Sequence, residues 1–186
     1  MHVSIKGTLV AMLGFFCFSI ASCGNADRAG IDDAPISWAE LFGDELRMAD
    51  GSSVGVEKLA DKELVAIYFS AQWCPPCRTF TPLLVDATEE LQEAGKSFEV
   101  VFVSADRSPR EMFDYMESYG MPWPAIPYGS DTADALMHRF GVRGFPTLVV
   151  IDGDGKTITK AGRMDIASKG AAAYDDWLRG RQNRSR

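Results

Sequence analysis

Leu64-Val65-Ala66-Ile67-Tyr68-Phe69 leads through Ser70-Ala71-Gln72-Trp73 into Cys74-Pro75-Pro76-Cys77, and the chain continues Arg78-Thr79-Phe80-Thr81-Pro82-Leu83-Leu84. The unbroken apolar run up to Phe69 suits a strand buried on both faces. Beyond the cysteines, Phe80, Leu83, Leu84, Ala87 and Leu91 recur at helical spacing, and Gly95 ends that helix. Phe98 to Val103 is a second buried strand. Strand, helix and strand with short links make a βαβ unit, whose crossover is expected to be right-handed. The cysteine pair falls where the first strand ends and the helix begins.

That position decides the chemistry. A helix N-terminus holds unpaired N–H groups and about half a positive charge, so it stabilises an anion. Cys74 at the cap position gains a lowered pKa and acts as the nucleophile. A free thiol of pKa ~8.5 is only about 3% ionised at pH 7, whereas one of pKa ~7 is half ionised. Cys77, one turn further in on the same side and less exposed, is placed to resolve a mixed disulfide formed at Cys74. Pro75 and Pro76 suit the first helical turn, where a missing N–H costs nothing. A pair two residues apart closes almost no loop and contributes little as a staple. Zinc needs more ligands than one C-x-x-C and His138 supply, so no metal and no cofactor is assigned. An inert structural disulfide in a binding module remains the alternative.

The flanking sequence extends the same architecture. Ser37 to Phe42 opens a short helix, and Leu46-Arg47-Met48 with Ser53-Val54-Gly55-Val56 reads as a hairpin around Asp50-Gly51. Ser108-Pro109-Arg110-Glu111 combines an N-cap serine, a proline at the first helical position and a capping-box glutamate. Met121 to Tyr128 carries three prolines and reads as a rigid irregular segment. Asp131 or Thr132 caps a helix ending near Phe140. Thr147 to Ile151 and Thr157 to Lys160 pair across Gly153-Asp154-Gly155, where a hairpin turn is favoured over a calcium loop lacking the full ligand set. A last helix is predicted from Asp165 to Leu178. The expected class is α/β, a central mixed sheet with helices on both faces.

The N-terminus reads as a separate device. Lys6 precedes an uncharged run from Gly7 to Gly24 that is apolar from Leu9 to Ile20, the anatomy of a secretory signal. An uncleaved anchor is the longer-span alternative. Ile20-Ala21-Ser22-Cys23 resembles a bacterial lipobox, in which Cys23 becomes the acylated first residue of the mature chain. A plain cleaved signal with Cys23 incidental is the competing reading. Cys17 leaves with the signal, so Cys74 and Cys77 are the thiols left for a compartment where disulfides persist. A net charge of −7 argues against nucleic acid as the main partner. Arg179, Arg181, Arg184 and Arg186 make a basic C-terminal tail; such tails are usually solvated, with contact to anionic lipid a minority reading.

From Ile36 to Leu178 the sequence resembles the thioredoxin superfamily, and within it the tryparedoxin and nucleoredoxin branch. Tyr68 to Arg78, Phe80-Thr81-Pro82, Phe98 to Ser104, Met121-Pro122-Trp123 and Phe145-Pro146-Thr147-Leu148 carry the likeness. The resemblance implies a thioredoxin-like fold and a cis Phe145–Pro146 bond beside the cysteine pair. It also implies that Phe145 and Pro146 receive an extended substrate peptide, while Trp73 shields the disulfide; Trp123 is expected as a second rim residue. Tyr68 stands where many thioredoxins bury an aspartate, a departure that tryparedoxins share. Val142 to Thr147 is more similar to the disulfide-isomerase version of that loop.

The organisation expected is a signal peptide over 1–22, a lipid-anchored tether over 23–35, a thioredoxin-like domain over 36–180 and a basic tail over 181–186. The expected activity is reduction of protein disulfides outside the cytoplasm, facing the periplasm or cell exterior. Electrons would come from a membrane or envelope donor. A disulfide oxidase or isomerase of the same fold, and a non-redox lipid-anchored binding module, are the competing functions.

Overall fold

The structure is a computed structural model and describes residues 1–2 and 36–184. The chain divides into two units, Met1–Gly30 and Ile31–Arg186, and the elements below belong to the second. The expected leader beyond residue 2, the lipidation site Cys23 and the tether lie outside the described residues.

Helix α1 (Trp38–Phe42) opens with a reciprocal capping box: the Glu40 N–H donates to the Ser37 hydroxyl, and the Ser37 N–H donates to the Glu40 carboxylate. Strands β1 (Glu45–Arg47) and β2 (Ser53–Gly55) form the expected hairpin, and a 3-10 turn (Val56–Leu59) follows. Then come β3 (Leu64–Ser70), α2 (Pro75–Glu93), β4 (Phe98–Ser104), α3 (Pro109–Ser118) and α4 (Asp131–Phe140). The chain closes with β5 (Thr147–Asp152), β6 (Thr157–Thr159), α5 (Gly162–Lys169), a 3-10 turn (Gly170–Ala172) and α6 (Ala173–Arg184).

The main sheet has the order β4-β3-β5-β6. β3 runs parallel to β4, from Leu64↔Phe98 to Ser70↔Ser104, and antiparallel to β5, from Leu64↔Asp152 to Phe69↔Thr147. All seven residues of β3 are buried, as its unbroken apolar sequence requires. Its alternate residues feed two cores. Ala66 and Tyr68 join Phe80 and Leu84 of α2, Met112 and Tyr115 of α3, and Tyr174 and Trp177 of α6. Val65, Ile67 and Phe69 join Leu41 and Phe42 of α1 and Leu136 and Phe140 of α4. Each fully buried aliphatic or aromatic side chain contributes about 1.5–3 kcal/mol, so β3, buried throughout and paired on both edges, is firmly held. Its C-terminal end is a rigid mount for whatever follows.

Several local expectations are revised. Met121–Tyr128 is irregular but also structural: Ala125 exchanges backbone bonds with Arg47 at 2.7 and 2.8 Å, and the Ile126 N–H donates to Phe102 O at 2.8 Å. The segment therefore joins the hairpin to the edge of β4. The last helix is two helices. Gly170 takes φ 54° between α5 and α6, and α6 continues to Arg184. Apolar residues continue on both sides of that break, so periodicity did not show it. Ser130, rather than Asp131 or Thr132, is the N-cap of α4. At α3 the Ser108 hydroxyl accepts the Glu111 N–H as expected, but the Glu111 carboxylate accepts the N–H of Arg107, one residue earlier than a standard box. Asp152 to Gly155 is the expected turn, with the Asp152 carboxylate accepting the N–H groups of Asp154 and Lys156.

Candidate active site

Strand β3 ends at Ser70, and Ala71 to Trp73 carry the chain to Cys74, the N-cap of α2 with extended backbone at φ −92° and ψ 109°. Cys74 and Cys77 are joined as a disulfide with Cα atoms 5.2 Å apart. Cys74 keeps 5% of its surface exposed and Cys77 none. The pair packs with Ala71, Ala105 and Phe145. The Phe145–Pro146 bond is cis, and the Phe145 carbonyl oxygen lies 3.7 Å from Cys74 Sγ. Trp73 is 43% exposed. Its Nε1–H donates to Ala105 O at 2.9 Å, and its ring meets Phe145 edge-on at 6.2 Å. Trp73, Cys74, Cys77, Phe145 and Pro146 thus come together. Trp123 does not join them. It is fully buried in the core, edge-on to Tyr68, because the backbone bonds of Pro124 and Ile126 to Phe102 hold its segment against β4.

The first turn of α2 holds the thiol differently from the expected pattern. Pro75 and Pro76 have no N–H, and the N–H groups of Cys77 and Arg78 both donate to Cys74 O, at 3.0 and 3.2 Å. No N–H between residues 74 and 78 is free for the sulfur, since the Cys74 N–H donates to Ala71 O. The helix start therefore offers Cys74 Sγ its field and no direct N–H bond.

Beneath Cys77 lies a closed cluster of four hydroxyls from three elements. Tyr68 and Ser70 come from β3, Thr81 from α2 and Tyr115 from α3, and none is exposed. Thr81 donates to Cys77 O at 2.9 Å, and Ser70 donates to the Tyr68 hydroxyl at 2.9 Å. With those two protons committed, the Tyr68 and Tyr115 hydroxyls both donate to Thr81 Oγ1, at 2.7 and 2.5 Å. Every donor is satisfied and both lone pairs of Thr81 are filled. Burial, aided by the neighbouring Tyr115, pushes the Tyr68 hydroxyl well above its ordinary value, so the cluster stays neutral. Tyr68 was legible as an unusual residue in the sequence. Ser70, Thr81 and Tyr115 were not, although a hydroxyl ending an apolar strand and one on a buried helical stripe are the available signals.

A family model described as thioredoxin-like matches residues 61–157, just over half of the chain. The chain belongs to the thioredoxin-like family. Thioredoxin from Wuchereria bancrofti is 41% identical, with 74% of this chain and 96% of that one covered at a TM-score of 0.65. Native tryparedoxin I from Crithidia fasciculata is 38% identical, covering 69% and 87% at a TM-score of 0.62. Nucleoredoxin from Bos taurus is 39% identical over 133 residues, which are 71% of this chain and 30% of that one. The chain thus spans about a third of the length of the curated relatives it matches. These likenesses agree with the tryparedoxin and nucleoredoxin branch. A thioredoxin-like redox protein needs its C-x-x-C cysteines at disulfide distance, and Cys74 and Cys77 meet that need.

One further carboxylate braces this thioredoxin-like site. Asp106, in the loop after β4, accepts the Gln72 N–H at 2.7 Å and the Ser104 hydroxyl at 2.8 Å. It therefore ties the approach to Cys74 to the neighbouring strand. Burial pushes its carboxyl above the usual aspartate range, against the lowering effect of those two bonds. Nothing in the sequence singled it out. Among the described residues, no three His, Cys, Asp or Glu side chains cluster as a metal centre requires.

Proposed function

We propose that the chain reduces protein disulfides by dithiol exchange through Cys74 and Cys77, outside the cytoplasm and from a lipid anchor at Cys23. The observation that carries the reading is the unequal placement of the two sulfurs. Cys74 sits at the helix start within reach of solvent, beside the Phe145 carbonyl, and Cys77 is sealed behind it. Cys74 thiolate attacks one sulfur of a substrate disulfide, and the other sulfur leaves as a thiolate that takes up a proton. Cys77 thiolate then attacks Cys74 Sγ, releases the second substrate thiol and leaves the Cys74–Cys77 disulfide. Two electrons pass to the substrate, and a dithiol donor in the membrane or envelope must return them. The run from Leu9 to Ile20, followed by Ala21-Ser22-Cys23, supports export and anchoring.

An oxidase runs the same exchange in the other direction and an isomerase runs it with no net electron transfer, and the isomerase-like loop at Phe145 favours these as the second reading. An equilibrium titration against glutathione separates the two. Potentials in this fold run from about −270 mV for reductases to about −120 mV for oxidants. A value near the lower end supports the reductase, a value near the upper end overturns the direction, and no reversible titration overturns redox function altogether. For the anchor, mass spectrometry should find acylated Cys23 as the first residue, and Cys23→Ser should release soluble protein or leave precursor. Unmodified Cys23 in the membrane fraction would contradict the anchor alone.

A further inference from the structure

A groove of about 400 Å³ beside the disulfide is lined by Gln72, Trp73, Arg78, Arg107 and Glu111. It adjoins the residue before Cys74 but supplies nothing to the thiol exchange itself. Arg78 follows Cys77 on α2, and its Nη1 donates to Gln72 O at 2.8 Å, which fixes it across the rim. Arg107 lies with its guanidinium 5.9 Å from the centre of the Trp73 ring. Both arginines are exposed, and among the described residues neither forms an ion pair. A guanidinium has five N–H donors in a planar fork that fits a carboxylate. Arg78 commits one of them, and Arg107 commits none to a hydrogen bond.

The two acids nearby do not use those donors. Glu111 accepts the backbone N–H of Arg107 at 3.0 Å, and Asp106 accepts the Gln72 N–H and the Ser104 hydroxyl. Helices α2 and α3 both begin at this groove, so two N-terminal partial charges add to the arginines. A chain of net charge −7 thus presents spare cationic donors beside its redox disulfide.

We infer that the groove is a carboxylate subsite, which selects disulfides carrying Asp or Glu close to the attacked cysteine. The inference rests on the disulfide-reductase reading and narrows its substrates to acidic segments. An extended peptide spans ~3.3–3.6 Å per residue, so acids two or three positions from a cystine held at Cys74 reach across Trp73 to Arg107 and Arg78.

The test uses the reduced full chain in single turnover on three disulfide-linked peptides. They differ only at the second and third positions from one cysteine: Glu-Glu, Gln-Gln or Lys-Lys. The acidic peptide should react faster than the neutral one by about 1.4- to fivefold per arginine engaged, the range of an exposed charge pair. The preference should shrink in high salt, fall in R107Q and R78Q, and reverse in R107E. R110Q, which removes a charge paired with Asp114 on the same helix, should leave the ratio unchanged. Dithiodipropionate, a small disulfide with two carboxylates, separates the sources. An arginine-dependent gain on the peptide alone assigns the subsite to protein segments, and a gain on both extends it to small acids. A peptide ratio of one, or a ratio that survives R78Q/R107Q, would overturn the subsite and leave the reductase reading standing. Reduction of none of the three peptides would overturn that reading and the subsite together.

Discussion

Replacing Thr81 by valine keeps the shape of the side chain and removes the one oxygen on which the hydroxyl cluster converges. Thr81 Oγ1 accepts from Tyr68 and Tyr115 and donates to Cys77 O. In the valine variant Tyr115 can turn its proton to Ser70 Oγ, 3.1 Å away. Ser70 already donates to Tyr68, so the Tyr68 proton has nowhere to go. A stranded buried donor costs about 1–3 kcal/mol and the lost bond to Cys77 O about 1 kcal/mol more, for a total of about 2–4 kcal/mol. A domain of this size has only about 5–15 kcal/mol to lose. Tyr115→Phe and Tyr68→Phe behave differently. Removing the Tyr115 hydroxyl strands no donor, and removing the Tyr68 hydroxyl frees Ser70 to bond Tyr115. Each should cost less than about 1.5 kcal/mol, the net worth of an ordinary hydrogen bond. Urea unfolding of the oxidised proteins measures all three. A Thr81→Val loss no larger than that of either tyrosine variant would refute the proton assignment, and with it the role of Thr81 as the hub beneath Cys77.

Two further outcomes follow from charge and burial. Burial raises the Asp106 carboxyl above the ordinary 3.8, so its favourable contribution is complete below about pH 4 and is lost as pH rises through the raised value. Asp106→Asn keeps an acceptor for the Gln72 N–H, and its stability relative to the parent should therefore improve from pH 4 to pH 7 in denaturant unfolding; a falling difference would contradict the assignment. Glu99 is 2% exposed on β4 and is paired with Lys58 Nζ at 3.3 Å. Lys58→Met should cost about 1–3 kcal/mol, below the full cost of breaking a buried pair because the lysine is partly solvated. Thermal unfolding of Lys58→Met and of the double variant Lys58→Met/Glu99→Gln checks this, and the second change should recover part of the loss.

The strand–helix–strand unit was readable because burial on both faces leaves an unbroken apolar run, as in Leu64–Phe69, and because helical spacing resumes at Phe80. Strand order was not, since β5 pairs with β3 over a long separation that no local pattern records. The break at Gly170 stayed hidden for a similar reason: both helices share one apolar stripe. At the site, Cys74 and Cys77 were legible from their place at a strand–helix boundary. Phe145 and Pro146 entered through a family resemblance, and the structure places Phe145 against Cys74. Thr81, Ser70, Tyr115 and Asp106 were silent because their meaning lies in partners 2 to 45 residues away. Trp123 went astray because an aromatic flanked by prolines gives the same sequence signal on a rim as in a core.

The proposed exchange depends on one asymmetry, that Cys74 attacks and Cys77 resolves. Its most direct test is to mix reduced Cys77→Ser and Cys74→Ser variants separately with a disulfide-linked peptide and read the products by intact mass and peptide mapping. Cys74 keeps its 5% exposure at the helix start, whereas Cys77 has none. Cys77→Ser should accumulate a stable mixed disulfide on Cys74, because the resolving thiol is gone. Cys74→Ser should accumulate no adduct on Cys77 over the same interval. An adduct on Cys77 formed as fast as the one on Cys74, or none on either, would contradict the assignment of the two thiols.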